Sequence, residues 1–497
     1  MRSELFQSLL LDRRRSSTLQ RQLSDELRRA VIEKRLRPGT RLPSSRLLAS
    51  ELGVARNTTI SVFEQLTAEG YLESAHGSGT FVASALPVRR LEPHSANHIS
   101  SESPTRPQLS KRGRMLAESS VSRLYGDKPA VPFRPGVPAL DLFPFALWNR
   151  TRSRVTRTLP SSLYGYGFVA GYPPLRHAIA DYLRASRGVR CDWQQVIIVA
   201  GTQQALNFSA NLLLDPGDPA IIEDPGYLGT RAAFRAAGAT ILPVAVDQDG
   251  LIVEEHQPLP KARLAYVCPS HQYPLGATLP LRRRLALLDW ARRHHAWIVE
   301  DDYDSEFRYK GPPLPALQGL DESACVLYMG TFSKVLHPAL RLGYLVVPKD
   351  LAGAFQGAKA LADRQPPLVE QATLASFMED GHFGRHIRRM RAVYMDRQAV
   401  LVKAIQTHLQ GILHVQQSDA GLHLVGWLPE GANDVAVSEA LSSAGIECAP
   451  LSAYAAKADP KPGLLLGYAA YTAEKLRRAV REMAVHWNAG REPVRHS

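Results

Sequence analysis

The sequence predicts a multidomain chain, an N-terminal α+β winged helix-turn-helix followed by a larger α/β domain. Three observations carry this. The 497 residues exceed the roughly 250–300 at which a single core stops growing. Apolar residues recur at helical spacing over the first 70 positions, then from Val131 onward as short strands alternating with helix-period stretches. Between the two, residues 85–130 lose periodicity. The expected division is a tail at 1–15, the winged domain at 16–84, a linker at 85–130, the α/β domain at 131–490 and a tail at 491–497.

Composition narrows the class. Hydrophobic residues make up 45% and charged residues 22%, which argues against a disordered or fibrous chain. No run approaches the ~18 apolar residues of a membrane span. The amino terminus, with Arg13, Arg14 and Arg15 and no small-residue cleavage site, does not read as a secretory signal, so the expected location is the cytoplasm. Cys191, Cys268, Cys325 and Cys448 are far apart and form no CxxC, so neither a disulfide framework nor a metal site is indicated. The net charge is +13, and residues 1–115 carry +8 of it, from 19 Lys+Arg against 11 Asp+Glu. Positive charge gathered at one end points to a polyanion, and nucleic acid is the usual one.

In the first domain Leu19, Leu23, Leu27 and Val31 form one helical stripe that stops near Arg37-Pro38-Gly39. Pro43-Ser44-Ser45 offers a capped start for a second helix, with Leu47, Leu48 and Leu52 as its apolar face and Gly53 as its end. A third begins near Ala55 with Ile60, Phe63 and Leu66 inward, and Gly70 closes it. Two short helices joined by a glycine-containing turn make a helix-turn-helix. Tyr71 to Ser74, a turn at His76-Gly77-Ser78-Gly79, and Thr80 to Val82 make a hairpin wing. The third helix would enter the major groove leading with Arg56, Asn57, Thr58 and Thr59, all able to donate to phosphates or base edges. Arg46 is placed to reach the DNA backbone, and Gly77 and Gly79 form the wing tip. A helical hairpin for protein contacts is the rival reading; the basic excess and the Gly-Ser-Gly tip favour DNA.

In the linker, Pro87, Pro93, Pro104, Pro107 and Pro129 are interspersed with Ser, Arg and Gly, and only Met115-Leu116 offers a local docking point.

The α/β domain shows strands at Val196–Val199, Ala220–Ile222, Leu264–Val267, Trp297–Val299, Val326–Tyr328 and Gly343–Val347, read as a parallel sheet. Ligands of such sheets bind beyond the carboxyl ends of the strands. There stand Gly201-Thr202-Gln203, whose helix start attracts a phosphate, and Tyr227. The acidic run Glu300-Asp301-Asp302-Tyr303-Asp304 is costly to bury unless paired. Metal ligation and pairing with a protonated ring nitrogen both fit it, although no His/Cys set completes a metal site. Next come Thr331, Ser333, Lys334 and Arg341. A desolvated strand-end lysine is a candidate Schiff-base former, and the hydroxyls and guanidinium around it suit one phosphate.

Two resemblances follow from these residues. Leu42-Pro-Ser-Ser-Arg46, Leu52-Gly-Val-Ala-Arg-Asn-Thr58, and Glu69-Gly-Tyr-Leu72 through Gly77-Ser-Gly-Thr-Phe81 resemble the GntR family of bacterial regulators over residues 16–84. The order phosphate loop, aromatic, carboxylate, lysine, arginine resembles fold-type I pyridoxal-phosphate enzymes, the aspartate aminotransferase superfamily, over about residues 131–490. That fold carries a small C-terminal α+β subdomain. The second resemblance implies pyridoxal 5'-phosphate as cofactor, held covalently by Lys334. Asp301 would keep the ring nitrogen protonated, Tyr303 would donate to the ring hydroxyl, Tyr227 would stack on the ring, and Thr202, Gln203, Thr331, Ser333 and Arg341 would hold the phosphate. Tyr273 occupies the slot where aminotransferases carry an asparagine. A GntR-like head on an aminotransferase-like body is similar to the MocR-type subgroup, as are Gly171-Tyr-Pro-Pro-Leu-Arg176 and Pro269-Ser-His-Gln-Tyr273.

The resemblance implies a transcription regulator that binds a double-stranded DNA operator, forms a homodimer and senses an amine or amino-acid-like effector. Tyr164 or Tyr166 would be lent to the partner's site. The rival is a working aminotransferase with an accessory DNA-binding domain. A third reading makes the cofactor itself the signal. Against transamination, Gly463-Leu-Leu-Leu-Gly-Tyr-Ala-Ala-Tyr471 holds no arginine where aminotransferases usually grip the substrate carboxylate, and none lies between Arg397 and Arg477. Arg231 and Arg364 are the substitutes weighed, with a surface role favoured for each.

Overall fold

The computed structural model describes residues 11–12, 17–75, 78–84, 108–117, 131–254, 258–311 and 314–489. The chain divides into two compact units, Met1–Pro107 and Gln108–Ser497.

In the first unit, α1 (Leu19–Ile32), α2 (Ser45–Leu52) and α3 (Arg56–Ala68) precede the antiparallel hairpin of β1 (Leu72–Ala75) and β2 (Gly79–Val82). Thr18 caps α1 and Ser44 caps α2, each accepting from a backbone N–H of the first turn. Leu23, Leu27, Val31, Leu48, Val62, Phe63 and Leu66 close one small core. Arg28 ties α1 to the end of α3 through Glu69, Nη2 to Oε2 at 2.8 Å. Three expectations are corrected. α1 ends at Ile32, five residues short of Arg37. Leu47 is 51% exposed, because Leu48, about 100° further round, takes the inward position. Thr59 is fully buried and cannot meet DNA: it shares the inward stripe of Val62, Phe63 and Leu66, three, four and seven residues on. His76 and Gly77 lie outside the described residues.

The second unit opens with α4 (Lys111–Ala117), a helix inside the stretch read as structureless. Its Arg112 Nη2 donates to Asn211 Oδ1 at 3.1 Å, while Met115 and Leu116 stay largely exposed. The helices are α5 (Phe145–Thr158), α6 (Pro173–Arg187), α7 (Thr202–Leu213), α8 (Leu228–Ala236), α9 (Leu281–His294) and α10 (Phe332–Val335), interspersed with strands from β3 onward. Those strands are β3 (Val196–Val199), β4 (Pro219–Asp224), β5 (Thr240–Asp247), β6 (Gly250–Leu251), β7 (Leu264–Val267), β8 (Trp297–Asp302), β9 (Val326–Thr331) and β10 (Gly343–Val346). They form one sheet in the order β3-β10-β9-β8-β7-β4-β5-β6.

The expected all-parallel sheet is corrected to a mixed one. β10 runs antiparallel to both β3 and β9, and β6 antiparallel to β5. The eleven residues from β9 to β10 hold only α10 and a 3-10 turn, too little for a parallel crossover, so the chain turns back. Beyond the sheet come α11 (Ala352–Ala362), α12 (Leu368–Glu379) and α13 (His382–His408). A smaller antiparallel sheet follows, β11 (His414–Val415), β12 (His423–Trp427), β14 (Gly463–Gly467) and β13 (Ala449–Pro450) in that order, with α14 (Asp434–Ser443) and α15 (Ala473–Ala489). This is the expected C-terminal α+β subdomain. Among the described residues no helix is long and apolar enough to cross a membrane.

The segment Val131–Gly136 runs from the small sheet to Lys334. Gly467 of β14 donates to the Phe133 carbonyl at 2.8 Å, the Tyr471 hydroxyl donates to the Val131 carbonyl, and Arg134 Nε donates to Glu447 Oε2 at 2.8 Å. The last strand thereby positions the segment that reaches the site.

Candidate functional site

The carboxyl ends of β8 and β9 meet the start of α7 at a cavity lined by Pro135, Gly136, Thr202, Tyr227, Tyr266, Tyr273, Asp301, Tyr303, Thr331, Lys334, Leu422 and His423. Six of the nine residues expected at a cofactor are among them. Lys334 Nζ donates to the Gly136 carbonyl at 2.8 Å. Gly136 sits at φ +73°, a backbone conformation that side chains with a Cβ rarely adopt. Burial pulls the Lys334 amine below its ordinary pKa, while Asp304 and Asp301 oppose the shift.

Asp301 Oδ2 accepts from the Tyr266 hydroxyl at 2.7 Å. Its Oδ1 is buried with no partner. Burial pushes this carboxyl up to about 7. A buried carboxylate oxygen without a donor is costly, and a protonated ring nitrogen is the donor that the sequence reading supplies. Tyr303 Oη lies 2.9 Å from His271 Nδ1. Thr331 caps α10 by accepting from the Ser333 N–H at 3.1 Å.

The other three expected residues do not line the cavity. Arg341, exposed and at φ +51°, lies beside the turn at Gly201, where a Cβ would stand 3.6 Å from Nη2. Ser333 is half-buried on α10. Gln203 turns its amide to the Gly229 carbonyl at 3.2 Å, leaving its Oε1 buried and without a partner. Tyr273 stands in the cavity wall, its hydroxyl donating to that of Tyr454 at 3.1 Å.

Sequence reasoning missed Tyr266, His423 and the Pro135-Gly136 turn, and named His271 and Asp304 only as members of the stretches 269–273 and 300–304, without a role. Tyr266 sits inside β7, and its alternation with core residues gave no sign of a polar task. Among the described lining residues none is an arginine. Arg231 Nη1 donates to the Ala455 carbonyl at 2.9 Å, and the Arg364 guanidinium lies 4.4 Å above the Tyr166 ring. On the first unit, Arg46, Arg56 and Asn57 are exposed, Thr58 is half-buried and Gly79 is exposed at the wing.

A winged helix-turn-helix on one unit, with a strand-end lysine and carboxylate cavity on the other, defines a DNA-binding protein with an aminotransferase-like domain. Residues 147–483 match the family of class I and II aminotransferases, and residues 19–82 match the gntR family of bacterial regulatory proteins. The chain belongs to the MocR-type subgroup of GntR-family regulators. It is 42% identical, over 96% of its own length and 95% of the relative's, to the probable rhizopine catabolism regulatory protein MocR of Rhizobium meliloti. It is 30% identical, over 93% of its length and 94% of the relative's, to the pyridoxine biosynthesis transcriptional regulator PdxR of Corynebacterium glutamicum. Among solved structures it is similar to LysN of Thermus thermophilus, an α-aminoadipate aminotransferase complexed with N-(5'-phosphopyridoxyl)-L-leucine. There the TM-score is 0.69 and the identity 27%, over 77% of this chain and 97% of that one.

Proposed function

We propose that this protein is a transcription regulator whose aminotransferase-like domain takes pyridoxal 5'-phosphate on Lys334 and senses an amine or amino-acid-like effector. One observation carries the reading. The cavity gathers Lys334, Asp301 and Tyr303 under a chain that also bears a DNA-binding unit, yet no arginine lines the cavity among the described residues.

Bound pyridoxal phosphate supplies a carbonyl that amines condense with and a ring that withdraws electrons. Lys334 would hold it. Asp301 Oδ1 would accept from the ring nitrogen, Tyr303 would donate to the ring hydroxyl, and Tyr227 would cover one face. Thr202 and Thr331, helped by Ser333, Gln203 and Arg341, would hold the phosphate. An incoming amine changes what Lys334 touches. The Gly136 carbonyl and the Val131–Gly136 segment behind it are the nearest parts of the chain to respond. Turnover also needs a carboxylate anchor that orients the scissile bond, and the leucines of β14 offer none. Arg56, Asn57 and Thr58 would lead α3 into the major groove, with Arg46 and the Gly77–Gly79 wing on the backbone. A second copy would complete the cavity and cover Tyr164 and Tyr166, the latter 85% exposed.

Similarity to a pyridoxine biosynthesis regulator favours a variant reading in which the cofactor is itself the signal. The presence of Lys334, Asp301 and Tyr303 keeps a working aminotransferase as the rival. Absorbance separates these. Purified protein with pyridoxal phosphate should show a visible band, and borohydride should bleach it while fixing the cofactor to the chain; Lys334→Ala should show neither. Candidate amines should shift the band without keto-acid formation. A borohydride-stable label in Lys334→Ala would remove Lys334 from the role. Multiple turnovers near the ~10 s⁻¹ typical of enzymes would favour the aminotransferase.

A further inference from the structure

His271 lies outside the residues expected at the cofactor, yet it backs one of them. Its Nδ1 is 2.9 Å from Tyr303 Oη and 3.0 Å from Asp304 Oδ2. The side chains of His271 and Asp304 are 3% and 1% exposed. Two glycines shape the space around the ring. A Cβ on Gly421, at φ +99°, would overlap the imidazole, and one on Gly276, at φ +80°, would stand 3.1 Å from Nε2. The ring is therefore held in place from two loops as well as by its hydrogen bonds.

An ionised carboxylate only accepts. With Asp304 at 3.0 Å, the proton on His271 belongs on Nδ1, where it is shared between the carboxylate and the tyrosine oxygen. A phenol facing an N–H can only accept from it. The hydroxyl proton of Tyr303 must then point elsewhere, and Tyr303 lines the cavity that holds Lys334. We propose that His271, oriented by Asp304, is a positioning residue that fixes Tyr303 as a hydrogen-bond donor into the cofactor cavity. This rests on the proposed binding of pyridoxal phosphate, whose ring oxygen is the acceptor such a donor fits. The other titratable groups that face this cluster among the described residues are Asp301, Lys334, Cys268, Tyr273, His423, Tyr309 and Tyr468. Burial keeps His423 neutral, pulled down to about 3, and its Nε2 lies 3.0 Å from the Pro274 carbonyl, so it does not compete for Tyr303.

Two measurements test this on the full chain. The first uses ¹⁵N-histidine-labelled protein without cofactor, at a pH above 7. The His271 signal, assigned by its loss in His271→Asn, should show a protonated Nδ1. A bare Nδ1, accepting from Tyr303, overturns the proposal whether or not the cofactor binds. The second titrates the visible band of the protein loaded with pyridoxal phosphate. A donor to the ring oxygen favours the basic form of the bound group, so losing it should raise the midpoint. Tyr303→Phe and His271→Leu should each raise it by about one unit, a tenfold change in proton affinity. The double variant should add little more. His271→Asn, which keeps an N–H near the Nδ1 position, should stay closer to wild type. If His271→Leu loads cofactor with an unmoved midpoint while Tyr303→Phe shifts it, His271 does not position Tyr303. Should His271→Leu fail to fold, the labelled histidine still decides. Failure to load any cofactor would count against the Lys334 reading, a result distinct from the histidine's proton state.

Discussion

Asp301 presents the sharpest conflict between stability and task at the scale of single residues. Its carboxyl is buried, pushed up to about 7, and leaves one oxygen without a donor. A carboxyl whose folded pKa lies above its unfolded value of ~3.9 adds stability below that value and loses it as pH rises through about 7. Asp301→Asn should therefore stabilise the cofactor-free protein, more at pH 8 than at pH 5, while weakening retention of pyridoxal phosphate. Thermal melts at the two pH values, with and without cofactor, check both parts. Equal melting shifts at both pH values would remove Asp301 as the source of the conflict. Lys334, Asp301 and Tyr303 were legible in the sequence because each stands at a strand end where chemistry is expected. Tyr266, His271 and Asp304 were not. Tyr266 reaches Asp301, and His271 reaches Tyr303 and Asp304, across 32 to 35 positions of chain, and periodicity carries no such contact.

Among elements, α3 was legible in existence and start but not in facing. Its leading residues are all polar and all suit DNA, yet one turn of helix must split them. Arg56 and Asn57 face out and Thr59 faces in, with its hydroxyl unpartnered. Thr59→Val should consequently keep or raise stability, because it removes a buried orphan hydroxyl, and should leave DNA affinity unchanged. A melt and a fluorescence-anisotropy titration check it, and lost affinity with an intact fold would return Thr59 to the interface. Arg56→Ala should cost about 1–3 kcal/mol if the side chain reads a base, or lower the salt slope by about one if it holds phosphate. Unchanged affinity and slope would shift attention to the wing. The direction of β10 escaped sequence reading for a different reason. A strand's apolar run looks the same in either direction, and only the short connection from β9, with its single turn of α10, dictates the reversal.

For the whole molecule, the division into a basic helical head and an α/β unit was visible in charge and periodicity, and the family matches fall on the same two regions. α4 was hidden, since seven residues containing a glycine and three basic residues show no apolar stripe. The function proposed above joins the two units: occupancy of the cavity would alter how the chain holds DNA. The direct measurement is operator affinity by anisotropy, on a duplex selected for binding to the protein. It would be made with protein free of cofactor, loaded with pyridoxal phosphate, and loaded with a panel of amines added, in wild type and Lys334→Ala. Cofactor or amine should change affinity several-fold in wild type and not in Lys334→Ala, while keto-acid production stays negligible. Affinity that is the same in every state, accompanied by sustained turnover of an amino donor, would contradict the proposed function.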